Sequence, residues 1–252
     1  MQMTDNTILI TGGNSGIGRK LAEAFHELGN QVVITGRRKE LLDAVTAANP
    51  GMKSAVLDVQ SASQIKTFAA QISAQFPTLN VLINNAGIMK PEDLNRDPPD
   101  LADAEATIET NLLGPIRLTT ALLPLLKKQS RSTIVTVSSG LAFIPLAMTP
   151  TYCATKAAIH SYTQSLRFQL RNSTVEVLEL IPPYVATELM GEHQAQDPHA
   201  MPLAEFISEV IEILSTQPDA KEIRVKRVHP LCFAAEQGEV GYLKQFAAFN
   251  SR

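Results

Sequence analysis

Residues Thr7–Gly18 read TILITGGNSGIG, and the parsing of that string decides the fold. Thr7 to Thr11 is a short apolar run without polar alternation, as expected of a strand buried on both faces. From Gly16 onward, Ile17, Leu21, Ala24, Phe25 and Leu28 recur at helical spacing. The turn between them holds Gly12, Asn14, Ser15, Gly16 and Gly18. Gly12 permits a tight turn, Gly16 lets the backbone approach a pyrophosphate at the helix N-terminus, and Gly18 lets the helix pack close to the sheet. The spacing G-x-x-x-G-x-G is a variant of the commoner G-x-G-x-x-G. Alone, such a string can be an ordinary glycine turn; between a first strand and a helix it favours a nucleotide.

Working outward, strand and helix patterns keep alternating. Strands are expected at Gln31–Thr35, Ala55–Val59, Val81–Ile83, the TIVTV run before Ser138, and Val175–Ile181. Helices are expected at Lys39–Ala48, about Ser61–Gln75, about Leu101–Lys128 and about Tyr152–Arg171. Buried strands separated by helices make a parallel sheet covered on both faces: a Rossmann-type, doubly wound α/β fold in three layers. No repeat, low-complexity segment or Gly/Ser-rich linker divides the chain, so residues 1–252 are read as one NAD(P)-binding domain. Met89–Asp100 is a polar, proline-rich loop. Glu188–Pro202 follows the sixth strand, where a doubly wound sheet places its crevice; a substrate lid over about 188–206 is expected there, with an ordinary surface excursion as the alternative.

The totals exclude several classes. Twenty-two basic and 25 acidic side chains leave a charge of -3, which makes no electrostatic case for nucleic acid or an anionic membrane. No window approaches the ~18 apolar residues of a spanning helix. The N-terminus MQMTDNTILITGG has no basic start or cleavable apolar stretch, so a cytoplasmic location is expected. Cys153 and Cys232 form neither a disulfide framework nor a metal-ligand spacing, and His193, His199 and His229 suggest no metal site.

At the end of the second strand, TGRRKE, an acidic residue would bind the ribose hydroxyls of NAD. Gly36 stands there instead, followed by Arg37 and Arg38, whose guanidinium groups suit a 2′-phosphate. NADP(H) is therefore favoured and NAD(H) remains possible. Asp58 and Val59 follow in LDV; the carboxylate can take a bond from an adenine amino group or cap the next turn. Asn84, Asn85, Ala86 and Gly87 end the fourth strand, where paired amides can satisfy backbone groups and the small Ala-Gly step leaves room for a flat ligand. Asn111 lies four residues before Pro115, which has no N–H for the Asn111 carbonyl. The helix should bend near Gly114, and a water can dock on the freed carbonyl; a plain kink is the alternative.

Tyr152 and Lys156 are one helical turn apart and share a face, and Ser139 stands at the end of the preceding strand. A tyrosine has an ordinary pKa of about 10. A nearby ammonium favours the phenolate, and a serine hydroxyl can hold a carbonyl or alcohol oxygen in place. Phe143, Met148, Tyr184, Met190 and Met201 flank these segments and could line an apolar substrate pocket. Cys153, beside the tyrosine, is read as a small packed residue rather than a nucleophile.

TGGNSGIG, Asp58, NNAG, Asn111, Ser139 and the Tyr152-x-x-x-Lys156 pair, in that order, resemble the short-chain dehydrogenase/reductase family. The resemblance implies a catalytic tetrad of Asn111, Ser139, Tyr152 and Lys156, with Ser139 rather than Ser138 as the serine. It implies that Lys156 also holds the nicotinamide ribose, and that Pro182, Val185 and Thr187 hold the carboxamide. It further implies a sheet ordered 3-2-1-4-5-6-7 and homodimers or homotetramers built through two long helices. Ile159, Tyr162, Leu166 and Leu170 could belong to that interface or face their own sheet. SSGLAF, YCATKAA and IPP also resemble a bacterial oxidoreductase subgroup labelled for D-alanine esterification of teichoic acids. Pro183 replaces the family's usual glycine, and KEIRVKRVHPLCF lacks its glycine-rich last-strand end. The implied activity interconverts a small-molecule carbonyl and an alcohol. The alternatives are a sensing or scaffold protein that binds the cofactor without turnover, and an NAD-dependent alcohol dehydrogenase.

Overall fold

The computed structural model describes residues 1–95 and 101–251. Its strands are β1 (Thr7–Thr11), β2 (Gln31–Gly36), β3 (Lys53–Val56), β4 (Val81–Asn84), β5 (Ser132–Val137), β6 (Val175–Ile181) and β7 (Glu222–Arg224). All neighbours pair in parallel, in the order β3-β2-β1-β4-β5-β6-β7. The order reverses between β1 and β4, which opens a crevice at the strands' C-terminal ends.

The helices between them are α1 (Gly16–Glu27), α2 (Lys39–Ala48), α3 (Ala62–Gln75), α4 (Ala102–Ile108), α5 (Gly114–Leu126) and α6 (Pro150–Leu170). After β6 come α7 (Glu192–Gln196) and α8 (Leu203–Thr216); after β7 come α9 (His229–Cys232) and α10 (Gly238–Asn250). Side-chain alternation along the central strands divides the core in two. Ile8, Ile10, Val32, Ile34, Ile83 and Val135 pack with α1, α2 and α8 residues on one face. Leu9, Val33, Leu82, Ile134 and Val177 pack with α3, α5 and α6 on the other. Both faces are apolar because both are covered, which is why the strands read as continuous hydrophobic runs.

Several expectations need adjusting. β3 ends at Val56, so Asp58 and Val59 lie in the turn beyond it. β3 is an edge strand paired only to β2, and the Asp58 carboxylate accepts the Gln60 N–H at 3.0 Å, drawing the chain out of the extended path. The long helix is not continuous: a wide turn at Glu109–Leu113 separates α4 from α5, and the Gly114 N–H bonds back to the Glu109 carbonyl. Pro115 cannot donate, so the ladder shifts by one residue rather than merely bending. Ile159, Leu166 and Leu170 are buried, and Tyr162, Leu166 and Leu170 pack on their own sheet. The sequence reading places no helix at Leu203–Thr216, although Phe206, Ile207, Val210, Ile213 and Leu214 carry a helical period and are buried. Part of the polar Met89–Asp100 loop, Arg96 to Asp100, lies outside the described residues. Among the described residues, no helix is long and apolar enough to cross a membrane.

Candidate active site

A cleft of about 570 Å³ runs along the C-terminal ends of β1, β2, β4, β5 and β6. One end is made of the β1–α1 turn. Gly12 has φ +67°, and a Cβ there would stand 2.9 Å from the Ala86 Cα. At Gly18 a Cβ would come within 2.4 Å of the Gly12 carbonyl and 2.3 Å of the Asn85 amide, so only glycine lets α1 approach this closely. Asn85 ties the two loops together: its Nδ2 donates to the Thr11 carbonyl at 2.9 Å, while its N–H bonds the Thr11 hydroxyl at 3.0 Å. Asn14, Ser15, Gly16, Ile17, Arg37, Arg38, Asp58, Val59, Ala86 and Gly87 complete this end. The Asn14 side chain lies over Gly36, where a Cβ would meet its Oδ1 at 2.4 Å, so a larger residue at the end of β2 would have to displace it. Asp58 lines the cleft and caps its own turn through the Gln60 N–H.

The other end is buried. α6 starts at Pro150, and the Glu92 carboxylate accepts bonds from the Thr151 N–H at 2.9 Å and hydroxyl at 2.7 Å, an anion at a helix N-terminus. This seats Tyr152, 6% exposed, and Lys156, 5% exposed, on the cleft wall. The Lys156 ammonium lies 5.5 Å from the Tyr152 ring centroid and donates to the Val137 carbonyl at 2.8 Å. Ser139, whose Oγ accepts the Leu141 N–H at 3.1 Å, faces the same space. Burial brings the Lys156 pKa down to about 8, against an opposing pull from Glu179. Burial pushes the Tyr152 phenol up from its ordinary value, opposed by its hydrogen bond with Ser139. The phenol is therefore raised where a lowering by Lys156 was expected: desolvation disfavours a buried phenolate more than the Ser139 hydrogen bond favours it.

Asn111 does not line the cleft. Its side chain lies behind the wall, where Oδ1 accepts the Ile88 N–H and Nδ2 donates to the Ile88 carbonyl, both at 2.9 Å, and Nδ2 also reaches Thr155 at 3.3 Å. It thus fastens the loop after β4 to α6, close to Lys156: a Cβ at Gly87 would lie 3.3 Å from its Oδ1 and 3.8 Å from the Lys156 Nζ.

Three expected positions fall elsewhere. Asn84 is buried with its amide on the Thr119 hydroxyl at 2.9 Å, bracing β4 against α5 instead of reaching a ligand. Phe143 packs on the His160 ring at 4.8 Å, outside the cleft. Tyr184 is exposed and donates to Asp197 at 3.1 Å. Met148 is also exposed and Met201 belongs to the core; of the suggested pocket residues Met190 alone joins the apolar cluster of Met89, Leu141, Leu146, Tyr152 and Cys153.

Pro182, Pro183, Val185 and Thr187 line the cleft after β6. Sequence reasoning missed what holds them. Gln194, 4% exposed, donates to the Val185 carbonyl at 2.8 Å and the Thr187 hydroxyl at 3.2 Å, and accepts the Met190 N–H at 3.0 Å. A bond from Met201 N–H to the Tyr184 carbonyl at 2.8 Å anchors the far side of the loop. The only sequence signal for Gln194 was its position in the expected lid. Ser138 was also missed as a cleft residue: like Thr35 it belongs to the lining, while its hydroxyl is buried without a partner among the described residues.

Residues 6–198 match the family model described as short chain dehydrogenase. The uncharacterised oxidoreductase DltE of Bacillus subtilis (strain 168) is 46% identical over 189 residues, 75% of each chain. The NADP-dependent 3-hydroxy acid dehydrogenase YdfG of Salmonella typhi is 34% identical over 182 residues, 71% of this chain and 72% of its own. A short chain dehydrogenase from Burkholderia cenocepacia J2315, crystallised with NADP, superposes with a TM-score of 0.83 at 24% identity over 98% of this chain and 99% of the other. Glycine turn, strand order and family match converge: the chain belongs to the short-chain dehydrogenase family of oxidoreductases.

Proposed function

We propose that the protein is an NADP(H)-dependent oxidoreductase that interconverts a carbonyl and an alcohol, with Tyr152 as the proton-transferring group. The observation that carries this reading is the joining, in one cleft, of the β1–α1 turn and Arg37–Arg38 with Ser139, Tyr152 and Lys156. The residues present fit a dinucleotide. At Gly12 a Cβ would stand 2.9 Å from the Ala86 Cα and at Gly18 2.4 Å from the Gly12 carbonyl, so the bare β1–α1 turn leaves its backbone open to a pyrophosphate. Gly12, Asn14, Ser15, Gly16, Ile17 and Gly18 would hold the pyrophosphate, Arg37 and Arg38 the 2′-phosphate, and Asp58 and Val59 the adenine. Asn85, Ala86, Gly87, Lys156, Pro182, Val185 and Thr187 would hold the nicotinamide half; Asn84 acts by bracing β4. NADP(H) is favoured because Gly36 offers no carboxylate and two guanidinium groups follow it, in keeping with the NADP dependence of YdfG. Bound NADPH would supply the hydride.

Tyr152 carries its proton at neutral pH, as an ordinary phenol does, and can donate it to a carbonyl oxygen. Ser139 orients that oxygen. As the proton leaves, the phenolate forms near the Lys156 ammonium, whose attraction opposes part of the desolvation that burial imposes. Asn111 keeps the loop after β4 in register with Lys156, and its main-chain carbonyl, to which Pro115 offers no N–H, is the proposed dock for a relay water. The Met89, Leu141, Leu146 and Met190 cluster beside Tyr152 suits an apolar, medium-sized carbonyl compound. The segment over 188–206 is proposed to cover it, hinged about the Gln194 bonds. Assembly as a homodimer or homotetramer belongs to the same proposal.

The test is NADPH oxidation by purified protein over a panel of ketones and aldehydes, with Tyr152→Phe alongside. Turnover by the wild type, absent from the variant, is expected. Equal turnover in both would overturn the assignment of Tyr152.

A further inference from the structure

One charged group is more completely buried than any the reaction above requires. Glu179, in the middle of β6, is 0% exposed. Its carboxylate meets the His160 Nδ1 at 2.9 Å through both oxygens. An isolated carboxylate at this depth would take up a proton, so its retention needs cations nearby.

The cations stand in a row on α6. His160 is one turn after Lys156, and residues so spaced share a helix face. Lys156 in turn is fastened to the carbonyl of Val137, whose partner in β6 is Leu180, next to Glu179. Lys156 and His160 therefore share the face of α6 that lies beside the end of β6, where Glu179 meets His160 next to the residue paired with Val137. The other facing groups are accounted for. From β7, Glu222 brings a second carboxylate within 4.8 Å of Glu179 and His160 and is itself paired with Arg224; from α9, Cys232 lies near with its thiol pushed up to about 11 by burial; β5 presents Thr136, bonded to Thr163 at 2.7 Å.

We propose that Glu179, gripped by His160, is a positioning residue for Lys156: a buried counter-charge that keeps the lysine an ammonium where it stands against Tyr152. This rests on the oxidoreductase reading only for its consequence in turnover. The direction of the forces agrees with it. Burial lowers the Lys156 pKa and Glu179 raises it. Hydrogen bonding to Glu179 raises that of His160. With His160 protonated the pair is neutral. As pH rises and the imidazole loses its proton, the carboxylate is left uncompensated and holds the lysine proton more strongly, just as Lys156 nears its own limit.

The experiment reads Lys156 directly. The full chain is labelled with 13Cε-lysine, the Lys156 signal is assigned by its loss in Lys156→Arg, and its titration is followed by NMR. In Glu179→Gln the midpoint should fall by about half a pH unit or more. Glu179→Asp, which keeps the charge, should move it less. A midpoint that stays put or rises in Glu179→Gln, or moves equally in both variants, overturns the proposal. If Glu179→Gln does not fold, His160→Gln decides: it keeps a donor for Glu179 and leaves the carboxylate to Lys156 alone, so the midpoint should hold or rise, and a lowered one is fatal. The alkaline limb of kcat/KM should move with the midpoint, which a merely structural role would not produce. If the NMR shift occurs in a protein without turnover on any carbonyl, the oxidoreductase reading fails and the electrostatic assignment stands.

Discussion

The two ends of the cleft use opposite physics. At the nucleotide end the backbone comes close because glycines allow it, and the charges of Arg37 and Arg38 are exposed to water. At the catalytic end the backbone is covered, and Tyr152 and Lys156 are almost fully buried. Water screens the first pair of charges and leaves the second nearly unscreened, so a single substitution should be worth far more at the buried end.

Four outcomes would sharpen or break that contrast. The largest is expected from Tyr152→Phe: a loss of kcat of roughly 10³-fold, with the NADPH dissociation constant, measured by fluorescence titration, essentially unchanged. Comparable loss of both would place the phenol in cofactor binding instead.

Lys156→Met comes next, read as stability. The unfolded lysine keeps its proton to pH 10.5, the folded one only to about 8. Between those values the unfolded state binds more protons, so this group's burden on the fold lightens as pH rises. Relative to wild type, the variant should therefore lose on the order of 2 kcal/mol of its standing between pH 7.5 and 10. Urea unfolding at both pH values measures this, and a pH-independent difference would show that the lysine is not desolvated.

Gln194→Ala leaves the buried Val185 carbonyl and Met190 N–H short of partners, at a cost of about 1–3 kcal/mol. A raised KM with a smaller change in kcat is expected, because the latch shapes the cleft without meeting the reacting atoms. An unaltered KM would remove the loop from substrate binding.

The smallest effect is at the exposed end. Arg37→Ala should weaken NADPH about tenfold, roughly 1.4 kcal/mol, and leave NADH unchanged. Equal weakening of both would separate Arg37 from the 2′-phosphate.

The sequence by itself determined the layered α/β architecture, because strands covered on both faces must read as unbroken apolar runs and helices must show their period: β1, β6 and α2 have the boundaries their patterns imply. It also marked the glycine turn, the absence of a carboxylate at Gly36 and the spacing of Tyr152 and Lys156, since backbone sterics and helical geometry act over a few residues. Only the tertiary structure decided where Asn84, Phe143 and Tyr184 point, because either face of a strand end or loop is open to them locally. Nor is Gln194 distinguishable from any surface glutamine until the chain folds back and its amide meets Val185 and Met190. The same holds for Glu179 and His160, residues 19 apart in the chain that meet where β6 is covered by α6. Local spacing is written in the chain, whereas the pairing of buried polar groups depends on which distant segments exclude water together.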